Sequence, residues 1–175
     1  MHRAYRWRSL EDEGREYLDL FEDDGSVANG TITGPVPMTY SVRCDAQWRV
    51  RELEVERPGV ARVHLRADGE DRWFDEENQP LPALDGCIDV DIAGCAYTNV
   101  LPIRRLGGRL AQRTLIQVAY VYVPSLAVHP MQQAYTLTAP HRFLYEGPIG
   151  AFSAELRVDA DGFTIHYPAL FQRET

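Results

Sequence analysis

Residues 152–167 read FSAELRVDADGFTIHY, and the fold class can be inferred from this stretch. From Phe152 to Val158 every second side chain is apolar, and those between are polar. This two-residue period is that of a half-buried strand. Asp161-Gly162, a dipeptide favoured in tight hairpin turns, separates the run from FTIHY. The stretch therefore predicts two antiparallel strands joined by a hairpin.

The same alternation recurs toward the N-terminus, in the ranges 38–44, 50–56 and 61–66. Many short strands divided by glycine-containing turns predict a mainly β fold, in which a strongly curved antiparallel sheet closes into a barrel or half-barrel. We expect one domain over residues 1–175, because chains usually divide only above roughly 250 residues. The further turn candidates are Asp24-Gly25, Asn29-Gly30 and Asp68-Gly69.

Few segments favour a helix, so we expect one or two short ones. Leu101–Leu106 is a candidate, because Pro102 suits a first helical turn and Gly107-Gly108 supplies a stop. A further helical turn could lie between Pro124 and Tyr135. The range 9–24 has mixed periodicity, and we interpret it as strand.

Composition argues against several classes of protein. The net charge is -8, and phosphate repulsion therefore disfavours nucleic acid as a partner. The N-terminal residues lack the apolar stretch of a secretory signal, and no run reaches the ~18 apolar residues of a membrane helix. The three cysteines are an odd number, so we expect reduced thiols and a cytoplasmic location. Composition leaves the oligomeric state open.

Residues 113–123, RTLIQVAYVYV, are mainly apolar on both faces of the predicted strand. One interpretation is a central strand packed on both sides. The other is a cavity wall, with Gln117, Tyr120 and Tyr122 as the sparse polar groups that ligand sites use. The sequence does not separate these two.

Residues 85–106, DGCIDVDIAGCAYTNVLPIRRL, combine a carboxylate row with a two-arginine helix. Asp89 and Asp91 share a strand face, and Arg104 and Arg105 follow; either ion pairs that fix the helix or a ligand site would use them. Because consecutive helical residues point about 100° apart, we expect one arginine at the carboxylates and the other at a cavity mouth. Same-face residues about 6.6 Å apart suit a single metal ion poorly, so we predict neither a metal nor a cofactor.

Four strings resemble a bacterial family named for glycolipid binding: DVDI…YTNVLPIRRL at 89–106, AYVYVPSL at 119–126, QQAYTL at 132–137 and the ending 152–173. The resemblance covers nearly the whole chain. It implies an incomplete barrel with an apolar interior, similar to the lipoprotein carriers of the Lol system. Trp7, Glu16, Trp48 and Trp73 also fall where that family tends to carry such residues.

The site implied by the resemblance comprises Asp89, Asp91, Thr98, Asn99, Pro102, Arg104 and Arg105. The chain departs from the family just before it, where Gly94–Tyr97 replaces a Thr-Pro-Phe step, so we expect a looser approach to Thr98.

Three functions remain open. The first is non-catalytic binding of an amphipathic or apolar small molecule, such as a glycolipid. The second is an uncharacterised hydrolase or isomerase that uses an Asp or Cys of residues 85–105. The third is an interaction module without a small ligand. The first is favoured because no complete catalytic set, nucleophile elbow or phosphate loop can be assembled from the sequence.

Overall fold

The computed structural model describes residues 1–174, and a single 14-stranded sheet dominates it. A sheet of this size rarely stays open without curling. The mainly β fold class predicted from strand periodicity is confirmed, and the sheet is not closed. The strands are β1 (His2–Ser9), β2 (Arg15–Asp23), β3 (Gly25–Thr33), β4 (Met38–Cys44), β5 (Val50–Arg57), β6 (Ala61–Ala67), β7 (Trp73–Asp75), β8 (Asp89–Ile92), β9 (Thr114–Val121), β10 (Val128–Ala139), β11 (Arg142–Glu146), β12 (Ser153–Val158), β13 (Thr164–Tyr167) and β14 (Phe171–Arg173).

The strand order is β7-β6-β5-β4-β3-β2-β1-β14-β13-β12-β11-β10-β9-β8. Sequence neighbours pair antiparallel as expected, with two exceptions: β8 pairs with β9 in parallel, and β7 and β8 lie at opposite ends of the strand order. The connection between these two strands contains the one α-helix of the described residues, α1 (Val100–Leu106). Short 3-10 turns flank α1 at Tyr97–Asn99 and Gly107–Ala111. The helix ends at Gly107, whose φ of 51° suits glycine.

The two halves of the sheet approach each other. The amide of Val50, at the start of β5, donates to the carbonyl of Ile88 over 3.4 Å and so brings β8 against the other half. Val90 and Ile92 pack into an apolar cluster with β1–β7, whereas Val118 packs on the opposite side with α1 and β10–β13. The paired ranges 89–92 and 118–121 are therefore packed on both faces, as the first interpretation of residues 113–123 proposed, whereas Leu115 and Gln117 at the start of β9 are exposed.

The interpretation of residues 9–24 as strand is confirmed over β2, although the chain turns at 10–14 between β1 and β2. Two other sequence predictions of local structure are wrong. The range 124–135 contains no helix and instead begins β10 at Val128. Asn29-Gly30 lies inside β3 rather than at a turn; a side chain at Gly30 would overlap the ring of Tyr40 on the neighbouring strand. Glycine is needed there for a close approach.

Two ends of the rolled sheet can be distinguished by their turns. One end carries the turns after β1, β3 and β13, together with residues 147–152; we call it the upper end. The turns after β2, β4 and β12 lie at the other, lower end. Because β8 and β9 are parallel, both finish at the upper end, and α1 returns the chain to the lower one.

Candidate functional site

Asp89 and Arg105 form a buried ion pair. Asp89 is fully buried, and Arg105 reaches its carboxylate through Nε at 3.0 and 3.2 Å and through Nη2 at 2.6 Å. Burial raises the pKa of Asp89, and the hydrogen bonds from Arg105 oppose that rise. The expectation that one arginine meets this carboxylate holds for Arg105. The pair ties α1 to β8.

Among residues 1–174, no arginine pairs with Asp91, which faces a chamber instead. Its Oδ1 accepts a hydrogen bond from the Thr98 hydroxyl at 2.7 Å, and its Oδ2 accepts one from Gln133 Nε2 at 2.7 Å. Burial raises its pKa, against the effect of these two donors. The carboxylate therefore sits in a polar but poorly solvated setting, with acceptor capacity left over.

Tyrosines surround Asp91 in what we call the tyrosine chamber, a cavity of about 250 Å³ at the upper end. Burial first, and then the negative charge of Asp91, raises the pKa of Tyr120 to about 12. The same two causes raise the pKa of Tyr145 and Tyr167, so all three hydroxyls stay protonated donors. Asn99 also lines the chamber, and its Oδ1 accepts from the Tyr135 hydroxyl at 3.1 Å.

A second cavity, the mouth cleft, adjoins the chamber and measures about 410 Å³. The two share Ala93, Gly94, Tyr120, Leu170 and Phe171 as lining residues, so one opens beside the other. The volume of the cleft falls in the range of small-molecule sites, roughly 300–1,000 Å³. The wall of the cleft is apolar on one side and charged along the 11–16 turn. Its apolar lining comes from Ile32, Val36, Met38, Val123, Leu170 and Phe171.

Glu16 fixes residues 95–97, which directly follow two lining residues that the cavities share, Ala93 and Gly94. Its carboxylate accepts hydrogen bonds from the amide of Ala96 at 2.6 Å and from the Tyr40 hydroxyl at 2.5 Å. It also accepts from the Cys95 thiol and the Tyr97 amide, both at 3.3 Å. Burial raises its pKa, and these donors oppose the rise.

The looser approach to Thr98 expected from the family departure is therefore wrong. Residues 95–99 are all buried, and two successive amides are tied to Glu16. Small side chains at 94–96 let the backbone itself reach the carboxylate. Only the family resemblance pointed to Glu16 from sequence, because its partners in residues 95–97 lie about 80 residues away.

Arg104 does not reach either cavity, which corrects the expectation that it faces the mouth. It lies at the lower end, where its Nη1 donates to Glu22 at 2.9 Å and its guanidinium lies 4.3 Å from the Trp48 ring centroid. Asp161 is a more distant partner at 3.9 Å. The two adjacent arginines therefore contact different parts of the sheet: Arg105 contacts Asp89 on β8, and Arg104 contacts Glu22 near the end of β2 and Trp48 in the turn after β4.

Gln117 and Tyr122 also lie outside both cavities. The Gln117 side chain is exposed, and its Nε2 is 3.4 Å from the carbonyl of Asp85. Tyr122 is 41% exposed and contacts Tyr120 edge-on, with ring centroids 4.8 Å apart. Of the ten site residues predicted from the sequence, the structure places three at the chamber: Asp91, Asn99 and Tyr120. Thr98 donates a hydrogen bond to Asp91 and is not itself a lining residue of the chamber.

Gln133, Tyr145 and Tyr167 were not identified from the sequence. They lie on β10, β11 and β13, far from residues 85–106 along the chain. Tyr145 shares its strand face with Phe143, which marks it as inward-facing, but nothing local shows that it faces Asp91.

The cysteines are poor candidates for nucleophiles. All three are free and buried. Burial raises the pKa of Cys44 to about 12 and that of Cys87 to about 11, and it also raises that of Cys95. A thiol that stays protonated near neutral pH is a weak nucleophile. Within residues 1–174, no helix is long and apolar enough to cross a membrane.

Comparisons with known proteins agree with this architecture. The model of a family described as "Putative glycolipid-binding" matches residues 4–173. The structure is similar to the crystal structure of a DUF1089 family protein from Pseudomonas aeruginosa, with a TM-score of 0.81 and 39% sequence identity. The alignment covers 91% of this chain and 92% of that one. No curated protein matches the chain.

Proposed function

We propose, because the chain belongs to the family named for glycolipid binding, that it binds an amphipathic or apolar ligand, such as a glycolipid, without reacting with it. The observation that carries the proposal is the mouth cleft, whose apolar wall of Ile32, Met38 and Phe171 adjoins a polar chamber. An apolar cleft with a few polar groups at one end matches the two parts of an amphipathic molecule. The same arrangement supports a single domain organised around one interior.

Asp91 is the specific feature that favours the alternative, an enzyme. A carboxyl group whose pKa is raised by burial is suited to act as a general acid. Two observations argue against an enzyme. Asp89 is ion-paired with Arg105, and the thiols stay protonated, so among residues 1–174 neither supplies a nucleophile to act with Asp91. Binding without reaction therefore explains more of the arrangement.

The proposal can be tested with the neutral apolar probe N-phenyl-1-naphthylamine, whose fluorescence rises in an apolar site. We expect the protein to bind the probe and dodecyl maltoside to displace it. Val36→Glu places a charge in the apolar wall of the cleft and should weaken probe binding by roughly tenfold or more, because burying an unpaired charge is costly.

Val60→Glu is the matched control, since Val60 is 67% exposed on another upper turn and should leave probe binding unchanged. Equal binding by both variants, or no binding by the wild type, would contradict the proposal. Native mass spectrometry of protein purified from its source should detect a copurified amphiphile released intact. Release of a cleaved product after incubation would instead favour the enzyme.

A further inference from the structure

The tyrosine chamber offers hydrogen-bond donors and acceptors side by side. Asp91 supplies acceptors, because a carboxylate has about four acceptor positions and, of the residues that the structure describes, only Thr98 and Gln133 occupy any of them. The donors are hydroxyls. In the described part of the chain, the tyrosine hydroxyls that donate to protein groups are those of Tyr40 and Tyr135. The hydroxyls of Tyr120, Tyr145 and Tyr167 are therefore available to a ligand.

The chamber lining contains no cationic side chain among residues 1–174. Arg105 is used by Asp89, and Arg104 lies at the lower end with Glu22. A phosphate or carboxylate placed here would meet Asp91 with nothing to neutralise it, in surroundings where an unpaired charge is costly. The chamber is thus unsuited to an anionic head group.

The size and position of the chamber indicate which part of a ligand it would take. At about 250 Å³ it lies below the roughly 300 Å³ at which complete small-molecule sites begin, so it suits one small group. It shares Tyr120, Leu170 and Phe171 with the mouth cleft, so a head group in the chamber can continue into a chain in the cleft. Phe152 adds a flat apolar face.

We infer that the tyrosine chamber is a head-group subsite for an uncharged, hydroxyl-rich group of monosaccharide size, and that it excludes anionic head groups. Each hydroxyl of such a group both donates and accepts, which matches Asp91 beside the unpaired tyrosine hydroxyls. This inference rests on the proposed function and specifies its ligand class. The polar contacts to the ligand would then come from a carboxylate and three tyrosines on four different strands, and not from the two arginines that the sequence suggested.

The test compares three amphiphiles with one chain length and different heads: decyl β-glucoside, decyl phosphate and decyltrimethylammonium. Each is titrated calorimetrically into the full chain at pH 7, below its critical micelle concentration. We expect the glucoside to bind at least about tenfold more tightly than the other two, because only its head both donates and accepts without carrying a charge. Soluble glucose should compete weakly.

Variants then locate the effect. Tyr145→Phe with Tyr167→Phe removes two hydroxyls that make no hydrogen bond to other residues within 1–174, so folding should be preserved while glucoside binding weakens roughly two- to tenfold per hydroxyl. Asp91→Asn keeps the acceptor for Thr98 and should weaken glucoside binding while improving decyl phosphate binding. Tyr17→Phe, on an exposed outer position, is the control and should change neither.

Equal affinity for the three amphiphiles, or tighter binding of the phosphate or the ammonium, would overturn the head-group inference and leave the proposed function standing. Unchanged glucoside binding in the double tyrosine variant would overturn it as well. If no amphiphile binds at all, the proposed function fails and the inference fails with it.

Discussion

Removing Arg105 should strand a buried charge and destabilise the protein severely. In Arg105→Gln, the fully buried Asp89 loses three hydrogen-bond contacts and its counter-ion. Breaking a buried ion pair by removing one partner costs about 3–5 kcal/mol. For a chain of this size, each kcal/mol shifts the melting temperature by about 2–4 °C, so we expect a fall of roughly 6–20 °C.

The loss should depend on pH in a defined direction. Without Arg105, burial acts on Asp89 unopposed, so the pKa of the folded carboxyl rises further above its unfolded value. A group with a raised folded pKa binds more protons when folded, and stability then falls as pH rises through that range. The deficit of the variant should therefore be smallest near pH 4 and should widen toward pH 7, as measured by urea unfolding across pH.

Two controls separate the buried charge from the loss of an arginine. Arg113→Gln removes an exposed arginine paired with Glu146 over 2.7 Å, and it should leave the melting temperature nearly unchanged. Adding Asp89→Asn to Arg105→Gln should restore much of the stability, because the stranded charge is gone. A loss of less than about 1 kcal/mol in the free energy of unfolding for Arg105→Gln, or no recovery of stability in the double variant, would refute the reasoning.

Three further outcomes are expected. Gly30→Ala forces a methyl group into the Tyr40 ring and should cost about 1–3 kcal/mol in urea unfolding, whereas Gly108→Ala points into open space and should not. Arg104→Gln loses the contact with Trp48 and should lower the free energy of unfolding by about 1–2 kcal/mol without changing probe binding. Weaker probe binding by this variant would mean that Arg104 takes part in the ligand site. The buried thiols of Cys44, Cys87 and Cys95 should react slowly with a thiol reagent in the native protein. After denaturation without reductant all three should react, whereas one reactive thiol would indicate a disulfide.

The periodic part of the fold could be predicted from the sequence. Alternation such as that of residues 152–158 reports which face of a strand is buried, and hairpin dipeptides report where the chain reverses. Both are local properties, and they predicted the antiparallel hairpins. The glycine pair after Leu106 is a local signal too, and it predicted the end of the helix at Gly107. The parallel pairing of β8 with β9 could not be predicted in this way, because the paired residues, such as Asp89 and Val118, are 29 positions apart and joined through α1.

The site could be predicted only in part. Residues 85–106 stood out because carboxylates and arginines are concentrated there, and the pairing of one arginine with Asp89 followed from helix geometry. The sequence did not show which of the two arginines would pair with Asp89, or that Asp91 would face tyrosines. Both depended on where the sheet curls. Asn29-Gly30 shows the same limit: its dipeptide is typical of a turn, but the ring of Tyr40 on the next strand explains the glycine.

The sequence by itself determined the strand-rich character of the protein, the acidic surface balance and the segment that carries its buried carboxylates, because these depend on neighbours within a few residues. The tertiary structure alone decided that Glu16 ties down residues 95–97 and that Asp91 shares a chamber with Tyr145 and Tyr167. These contacts join strands separated by up to 80 residues. They form only when a long sheet rolls until its two halves meet, and no local pattern encodes that distance.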